Sequence, residues 1–329
     1  MFSKKLLIGA VSAVLLAASG ISQAADPIVF KMGFTDPENS NYVAGGKKIA
    51  AEVARLTDNR INIEVYGSSA LGGERDMYEG AQIGTIDIAT CVNVVLSGFI
   101  PELKVLDQPF LFDSVEQAHA VVDGEFGKLV EKKGLEQGVH IVGWLESGFR
   151  NVYSRKPITK IEDFKGVKIR TMENPVQIAA FNSLGAIASP MAYAEHFTAL
   201  QQGTIDAAEN AVSNVLAGRL YELTKNVTYT NHLYTFIAVI LSDKAWQKIP
   251  EDLRPKVLEG IQLGVAFQRD LLLKANSEAT VELKKLGVQF HEIDREAILK
   301  LVKPAVTPLF KDLDPAWVKA IEDTKKKFK

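Results

Sequence analysis

Along the chain the apolar positions switch between a period of two and a helical period, and each switch marks an element. Ile28 to Phe34 is a short β-like run, and Asn41 to Leu56 places Ala44, Ile49, Val53 and Leu56 on one helical face. Ile61 to Tyr66 alternates as a strand and ends at Gly67; Glu74 to Ile83 reads as a helix and Ile86 to Val92 as a strand. This strand–helix–strand–helix–strand order predicts a doubly wound α/β unit with a mostly parallel sheet.

Val105 to Phe112, with Pro109 inside it, leads into a helix over Val115 to Val122, and His140 to Leu145 is the next strand. Val152 to Ser154 and Val167 to Arg170 open a second α/β unit, followed by a helix over Val176 to Leu184. Gln201 to Asp206 reads as a loop into a short strand-like piece, Asn214 to Leu223 as helical, and Leu233 to Ser242 as a strand able to cross between lobes. Ile249-Pro250-Glu251-Asp252 begins a helix with an acid-rich first turn, and the pattern continues to Leu286 with Gly287 as a stop. At ~1.5 Å per residue such a helix is on the order of 50 Å long, longer than one small lobe, so it should lie across two. Several crossing segments between two α/β lobes suit hinge closure.

The ends of the chain change the setting. Lys4 and Lys5, the apolar stretch Leu6 to Ala18, and Ser22-Gln23-Ala24 read as a secretory signal over residues 1–24. The apolar stretch is short for a bilayer span, which needs ~20 residues. Removing Lys4 and Lys5 leaves 36 of the 38 basic side chains against 40 acidic ones, a net charge of −4. That balance argues against nucleic acid or an anionic membrane as partner. Cys91 is the only cysteine, which excludes an intramolecular disulfide. With 329 residues and 47% apolar content the chain can be held by its cores alone.

Candidate chemistry concentrates between Gly148 and Ala211. Arg170 closes the apolar run Val167-Lys168-Ile169-Arg170 and precedes the polar turn Thr171-Met172-Glu173-Asn174-Pro175. A guanidinium at a strand end offers a planar fork of donors matched to a carboxylate, in the crevice where open α/β sheets bind ligands. Enzyme readings find little support. The five histidines lack metal-ligand spacing, no nucleophile elbow of the Gly-x-Ser-x-Gly type is present, and no glycine-rich phosphate loop occurs. Cys91 lies in an apolar strand, the setting of a buried, inert thiol. No cofactor and no metal are expected.

Taken in order, several segments resemble one family. They are Leu71-Gly72-Gly73-Glu74-Arg75, Gly84-Thr85-Ile86-Asp87, Val105-Leu106-Asp107-Gln108-Pro109-Phe110-Leu111-Phe112, Lys165-Gly166-Val167-Lys168-Ile169-Arg170, Pro190-Met191-Ala192-Tyr193-Ala194-Glu195 and Asp206-Ala207-Ala208-Glu209-Asn210. Each is weak alone; their order and spacing resemble the DctP-type periplasmic solute receptors of tripartite ATP-independent periplasmic (TRAP) transporters. The resemblance implies a two-lobed periplasmic-binding-protein fold (type II-like) of class α/β, with hinge strands and a long helix over both lobes. It implies lobes of 25–148 plus 237–276 and of 149–236 plus 277–329. It further implies a monomeric, periplasmic, non-enzymatic receptor that hands a small organic acid to a membrane permease. A ligand-sensing partner of a membrane histidine kinase shares the same fold.

The resemblance also assigns roles. Arg170 pairs with the ligand carboxylate, Arg150 is a second cationic contact, Asn210 faces the ligand, Glu74 reaches it, and Tyr193 packs beside it. Each has a plainer alternative: Arg170 could be a surface arginine ending a strand. Arg150 could pair with Asp163 or Glu146; Asn210 suits a turn or cap; Glu74 suits the start of a helix; Tyr193 suits a core. Asn93, after the strand ending at Val92, either points into the cleft or decorates a loop. Glu173 shares the reading of Glu74. If these acids face the site, they favour a hydroxylated or sugar acid over a C4-dicarboxylate, because a carboxylate accepts from hydroxyls and repels a second acid. The chain departs from the family pattern at Ala211, where proline is frequent, and at Ala207.

Overall fold

The computed structural model describes residues 26–328; the signal segment expected over 1–24 lies outside them. The first half begins as the periodicity predicts: β1 (Ile28–Gly33), α1 (Asn41–Leu56), β2 (Ile61–Tyr66), α2 (Glu74–Ile83) and β3 (Ile88–Val92). The Ser40 side chain caps α1 by accepting from the Val43 backbone N–H, and Tyr42, Val43, Ile49 and Val53 supply its buried face. After β3 come a short α3 (Asn93–Leu96), a 3₁₀ stretch over Pro101–Asp107, α4 (Val115–Val122) and α5 (Glu125–Glu136). The long β4 (Val139–Ser154) then leads into β5 (Lys168–Thr171), α6 (Pro175–Ser183), β6 (Ile187–Pro190), α7 (Tyr193–Gln202), β7 (Ala207–Asn210) and α8 (Val212–Ala217). β8 (Asn226–Ser242), α9 (Asp243–Lys248), α10 (Arg254–Lys285), β9 (Gln289–Glu292), α11 (Arg295–Val306) and α12 (Pro315–Lys325) complete the chain.

The strands form one nine-stranded sheet in the order β2-β1-β3-β8-β4-β7-β5-β6, with β9 also on β8. The sheet is mixed, which corrects the mostly parallel expectation. β1 pairs parallel with β2 and β3, and β5 with β6 and β7, but both sets meet an antiparallel central pair, β4 and β8. β4 has 16 residues and β8 has 17, so each serves both halves of the sheet. β3 pairs with Ile237 to Leu241 of β8, whereas β9 pairs with Asn226 to Tyr229 at its other end. Register shifts break the β4–β8 ladder at Ile141/Gly143, Glu146/Gly148 and Arg150/Val152. Gly148 sits at φ +79°, a value that its lack of a Cβ allows.

Helices cover both faces and make separate cores. One core joins α2, α4, α5 and α12 to β3, β4 and β8, and a second joins α1, α9 and the first half of α10 to β1 and β8. Two more lie around β5, α6 and α11, and around α7, α8 and the end of α10. The 32-residue α10 therefore contributes Val257, Ile261 and Val265 to one core and Ala279 and Leu283 to another, the bridging position expected of it.

Sequence periodicity fell short at three places. His140 to Leu145 and Val152 to Ser154 belong to one strand, because bulges interrupt its alternation. α5 carries Gly127 and Gly134 inside it and was not predicted, and neither were α7, α11 and α12. The helix expected over Asn214 to Leu223 is shorter and starts earlier, at Val212.

The packing of α10 on α1 depends on two glycines one turn apart. A Cβ at Gly264 would stand 2.3 Å from Ile49 Cγ1 and 2.7 Å from its backbone nitrogen, and one at Gly260 would meet Val53 in the same way. Gly264→Ala should therefore destabilise the fold by about 1–3 kcal/mol, the usual cost of overpacking, despite alanine's better helix propensity. Denaturant unfolding measures it; a gain in stability would contradict the close approach.

Candidate functional site

Between the two halves of the sheet lies a narrow cavity, with about 30 Å³ of room for a water-sized sphere. Its lining comes from both sides: Thr35, Asp36, Tyr42, Glu74 and Val92 with Ile237 from one, and Arg170, Met172, Tyr193, Asn210 and Asn214 from the other, with Ser147 and Arg150 on β4. A larger groove of about 740 Å³ runs outside, along α1, α8 and α10. Its ions are solvated surface groups: Arg219 pairs with Glu222 and Lys285 with Glu282. The buried cavity, with its concentrated charge, is the stronger candidate.

Arg150 and Arg170 differ sharply in their partners. Arg150 on β4 is buried and already neutralised. Its Nε and Nη2 pair with both carboxylate oxygens of Glu209 on the adjacent β7, Nη2 also donates to the Glu209 carbonyl (2.7 Å), and Nη1 donates to Asn210 Oδ1 (3.1 Å). Neither partner weighed from the sequence, Asp163 or Glu146, takes this part. Burial pushes the Glu209 carboxyl up, but Arg150 and His232 pull it down further, to about 2. Burial likewise opposes the Arg150 charge, and Glu209 more than restores it.

Arg170, at the end of β5, is equally buried, with 3% exposure. Its Nε and Nη2 both donate to the Met191 carbonyl, at 3.0 and 2.7 Å. It makes no ion pair among the described residues, and burial lowers its proton affinity despite the nearby charge of Glu209. A buried guanidinium with donors left over is costly unless an anion meets it.

Two acids share the cavity with it. Glu74 opens α2, and its Oε1 accepts the Val92 backbone N–H at 2.8 Å; burial raises its carboxyl against the pull of that bond, Arg170 and Arg150. Asp36, after β1, is raised to about 7 by burial and by Glu74, against a hydrogen bond from Asn214 and the charge of Arg150. Neutral polar groups complete the wall. Tyr42 OH donates to Ser147 Oγ (3.1 Å), Ser147 lies 3.5 Å from Asn210 Oδ1, and Tyr193 OH donates to Asn214 Oδ1 (3.3 Å). Asn210 Oδ1 also accepts the Ala211 N–H (2.8 Å), whereas its Nδ2 donates to no described residue.

Of the seven residues singled out from sequence, Arg170, Arg150, Asn210, Glu74 and Tyr193 come together here. Two do not. Asn93 is fully buried elsewhere: its Nδ2 donates to Asp107 (3.1 Å) and its Oδ1 accepts from the Phe236 N–H (2.9 Å). Asp107 also accepts from Ser97 Oγ (3.0 Å) and Asn174 Nδ2 (2.8 Å), so Asn93 belongs to a structural network. Glu173 is exposed in the turn between β5 and α6, where its neighbour Asn174 turns inward and caps α6. Asp36, Tyr42, Ser147, Asn214 and Glu209 were missed. Asp36 alone carried a usable signal, a polar residue just past the carboxyl end of a strand. Among the described residues no group of three metal-ligating side chains occurs, and Cys91 is buried.

Two lobes on a mixed sheet, closed over a cavity with one unneutralised guanidinium, define a two-lobed solute-binding protein. The family model for bacterial extracellular solute-binding protein family 7, DctP, matches residues 32–313. This chain belongs to that family, the DctP-type receptors of TRAP transporters, which bind substrates and are not enzymes. It is similar to the sugar acid binding protein of Advenella mimigardefordensis solved with galactonate, at 31% identity and a TM-score of 0.88 over 92% of this chain and 98% of that one. It is also similar to a TRAP solute-binding protein from a Polaromonas species bound to D-erythronate, at 35% identity and a TM-score of 0.85 over 89% and 98%. The C4-dicarboxylate-binding periplasmic protein of Rhodobacter capsulatus is 28% identical over 90% of both chains.

Buried acids outside ion pairs give the ligand-free protein a pH signature. Asp36 and Asp107 keep their protons to about pH 7 when folded, against an ordinary value of 3.8. Between these limits the folded chain holds more protons than the unfolded chain, so their contribution to stability falls as pH rises. Unfolding midpoints should drop from about pH 4 to about pH 7, and Asp107→Asn should flatten that slope. An unchanged slope in the variant would contradict the raised Asp107 carboxyl.

Proposed function

We propose that this chain captures a small hydroxylated monocarboxylic acid, of the sugar-acid class, for a TRAP permease. The observation that carries the reading is Arg170: buried, aimed into the cavity, and without an acid of its own. Its free donors would take the ligand carboxylate in charge-assisted bonds. The unpaired Asn210 Nδ2 would add a second donor, held in place by Arg150. Glu74 would accept from a ligand hydroxyl through its second carboxylate oxygen, and the Tyr193 ring would pack against the ligand carbons.

The relatives bound to galactonate and D-erythronate support the same class. The relative that takes C4-dicarboxylates keeps a second reading in view. Charge favours the first. Arg150 is spent on Glu209, so a second ligand carboxylate would find Glu74 and Asp36 rather than a free cation. We further propose a monomer exported by the signal at 1–24 to the periplasm, with lobes of 25–148 plus 237–276 and 149–236 plus 277–329, corrected at the C-terminal end, where α12 packs into the core of α2, α4 and α5 and so belongs with the first lobe.

Calorimetry on Arg170 variants tests the anchor. Arg170→Lys keeps charge but not the fork and should weaken binding; Arg170→Ala should cost on the order of 2–5 kcal/mol. Near-native affinity in a folded Arg170→Ala protein would overturn the assignment. Competition tests the ligand class. Glu74→Gln should weaken galactonate binding and leave succinate unaffected or better bound; wild-type preference for succinate over every sugar acid would hand the case to the dicarboxylate reading.

A further inference from the structure

The reading above leaves Asp36 without a task of its own. It is buried just past the carboxyl end of β1, and it lines the cavity. Its Oδ1 accepts from Asn214 Nδ2 (3.2 Å), and Asn214 Oδ1 accepts from Tyr193 OH (3.3 Å). This chain of three side chains joins the β1 side of the cavity to α8 and α7 on the other. Oδ2 accepts no hydrogen bond from another described residue. The carboxyl, held otherwise only by its own backbone N–H, keeps lone-pair sites for a ligand hydroxyl.

The sheet orders the acids along the cavity. Glu74 binds the Val92 N–H at the end of β3, whereas Asp36 follows β1, one strand farther from β5 and Arg170. Glu74 thus stands on the Arg170 side and Asp36 beyond it. We propose that Asp36 is a specificity-determining residue that bonds a ligand hydroxyl remote from the carboxylate, selecting an open-chain polyhydroxy acid longer than glycolate or lactate. The proposal rests on Arg170 holding the carboxylate. A hydroxyl both donates and accepts, so it satisfies Asp36 whether or not that carboxyl holds its proton near pH 7; a second carboxylate bonds only the protonated form. Because Oδ1 bridges to Asn214, the same carboxyl that reads the far end of the ligand also joins the two sides of the cavity.

The test compares galactonate, by calorimetry, with lactate, by thermal shift at millimolar concentration, on the full chain. Asp36→Ala should lower the galactonate-to-lactate affinity ratio by ~10-fold or more, the scale of one lost hydrogen bond to a charged group. Asp36→Asn keeps the shape and an acceptor oxygen, and should recover part of the ratio. Asn214→Ala removes the bridge but not the reader, and should weaken both ligands by similar factors. An unchanged ratio in Asp36→Ala overturns the proposal, whether both affinities fall together or neither falls. If wild type binds succinate more tightly than galactonate, the parent reading fails and this one with it. Tight galactonate binding by wild type with an unchanged Asp36→Ala ratio sinks the Asp36 role alone. Unfolding midpoints establish that each variant is folded.

Discussion

The charge state of the cavity depends on one buried ion pair, Arg150 with Glu209. Both residues sit on central strands, β4 and β7, and the antiparallel pairing of those strands brings them together. Without Glu209 the cavity would present two free guanidinium groups and would suit a doubly charged ligand. With it, one cation remains exposed to the cavity, and the surrounding acids set what else can enter. Breaking such a pair by removing one partner leaves a buried charge, which is why the arrangement is stiff rather than adjustable. The pair also aims Asn210, whose Oδ1 is taken up by Arg150, Ser147 and its own following N–H.

The fold supplies the other constraint. Cavity walls come from elements far apart in the chain, and among the described elements β4, β8 and α10 run through both halves. The bulge beside Gly148 lies within two residues of both Ser147 and Arg150, so the irregular part of the ladder and the polar wall of the cavity are one region. Gln268 of α10 reinforces it. Its Oε1 accepts the Glu146 N–H (2.8 Å) while its Nε2 donates to the Glu146 carbonyl (2.8 Å) and to Asn41 Oδ1 (2.8 Å). Two backbone groups of β4 just before the bulge are thereby satisfied by a side chain of the bridging helix.

Much of this was legible in the sequence where local signals are strong. The first five elements followed from clean periodicity, and the long helix from its acid-rich start and glycine stop. β4 was not legible as one strand, since three register shifts scramble the alternation that defines a strand. For the site, Arg170 was legible through its place in the Lys165-Gly166-Val167-Lys168-Ile169-Arg170 segment, since an arginine ending a strand can by itself be a plain surface residue. Asn93 and Glu173 were misplaced because proximity in sequence to a strand end does not fix which way a side chain points: Asn93 turns into the network around Asp107, and Glu173 turns to solvent. Asn214 and Tyr42 carry no local signal at all, since their roles arise from lobes meeting.

Asn174 caps α6 with its Oδ1, accepting from the Val176 and Gln177 N–H groups, while its Nδ2 donates to the Val94 carbonyl, Ser97 Oγ and Asp107 Oδ2. It thus ties the α6 core to the 3₁₀ stretch of the first core without touching the ligand cavity. If the lobes part as the crossing segments suit, bonds such as these hold the shut form and raise its population before a ligand arrives. The apparent affinity scales with that population, by the same factor for every ligand. How strongly the receptor binds and what it chooses to bind are then set by different residues, and one can drift while the other stays fixed.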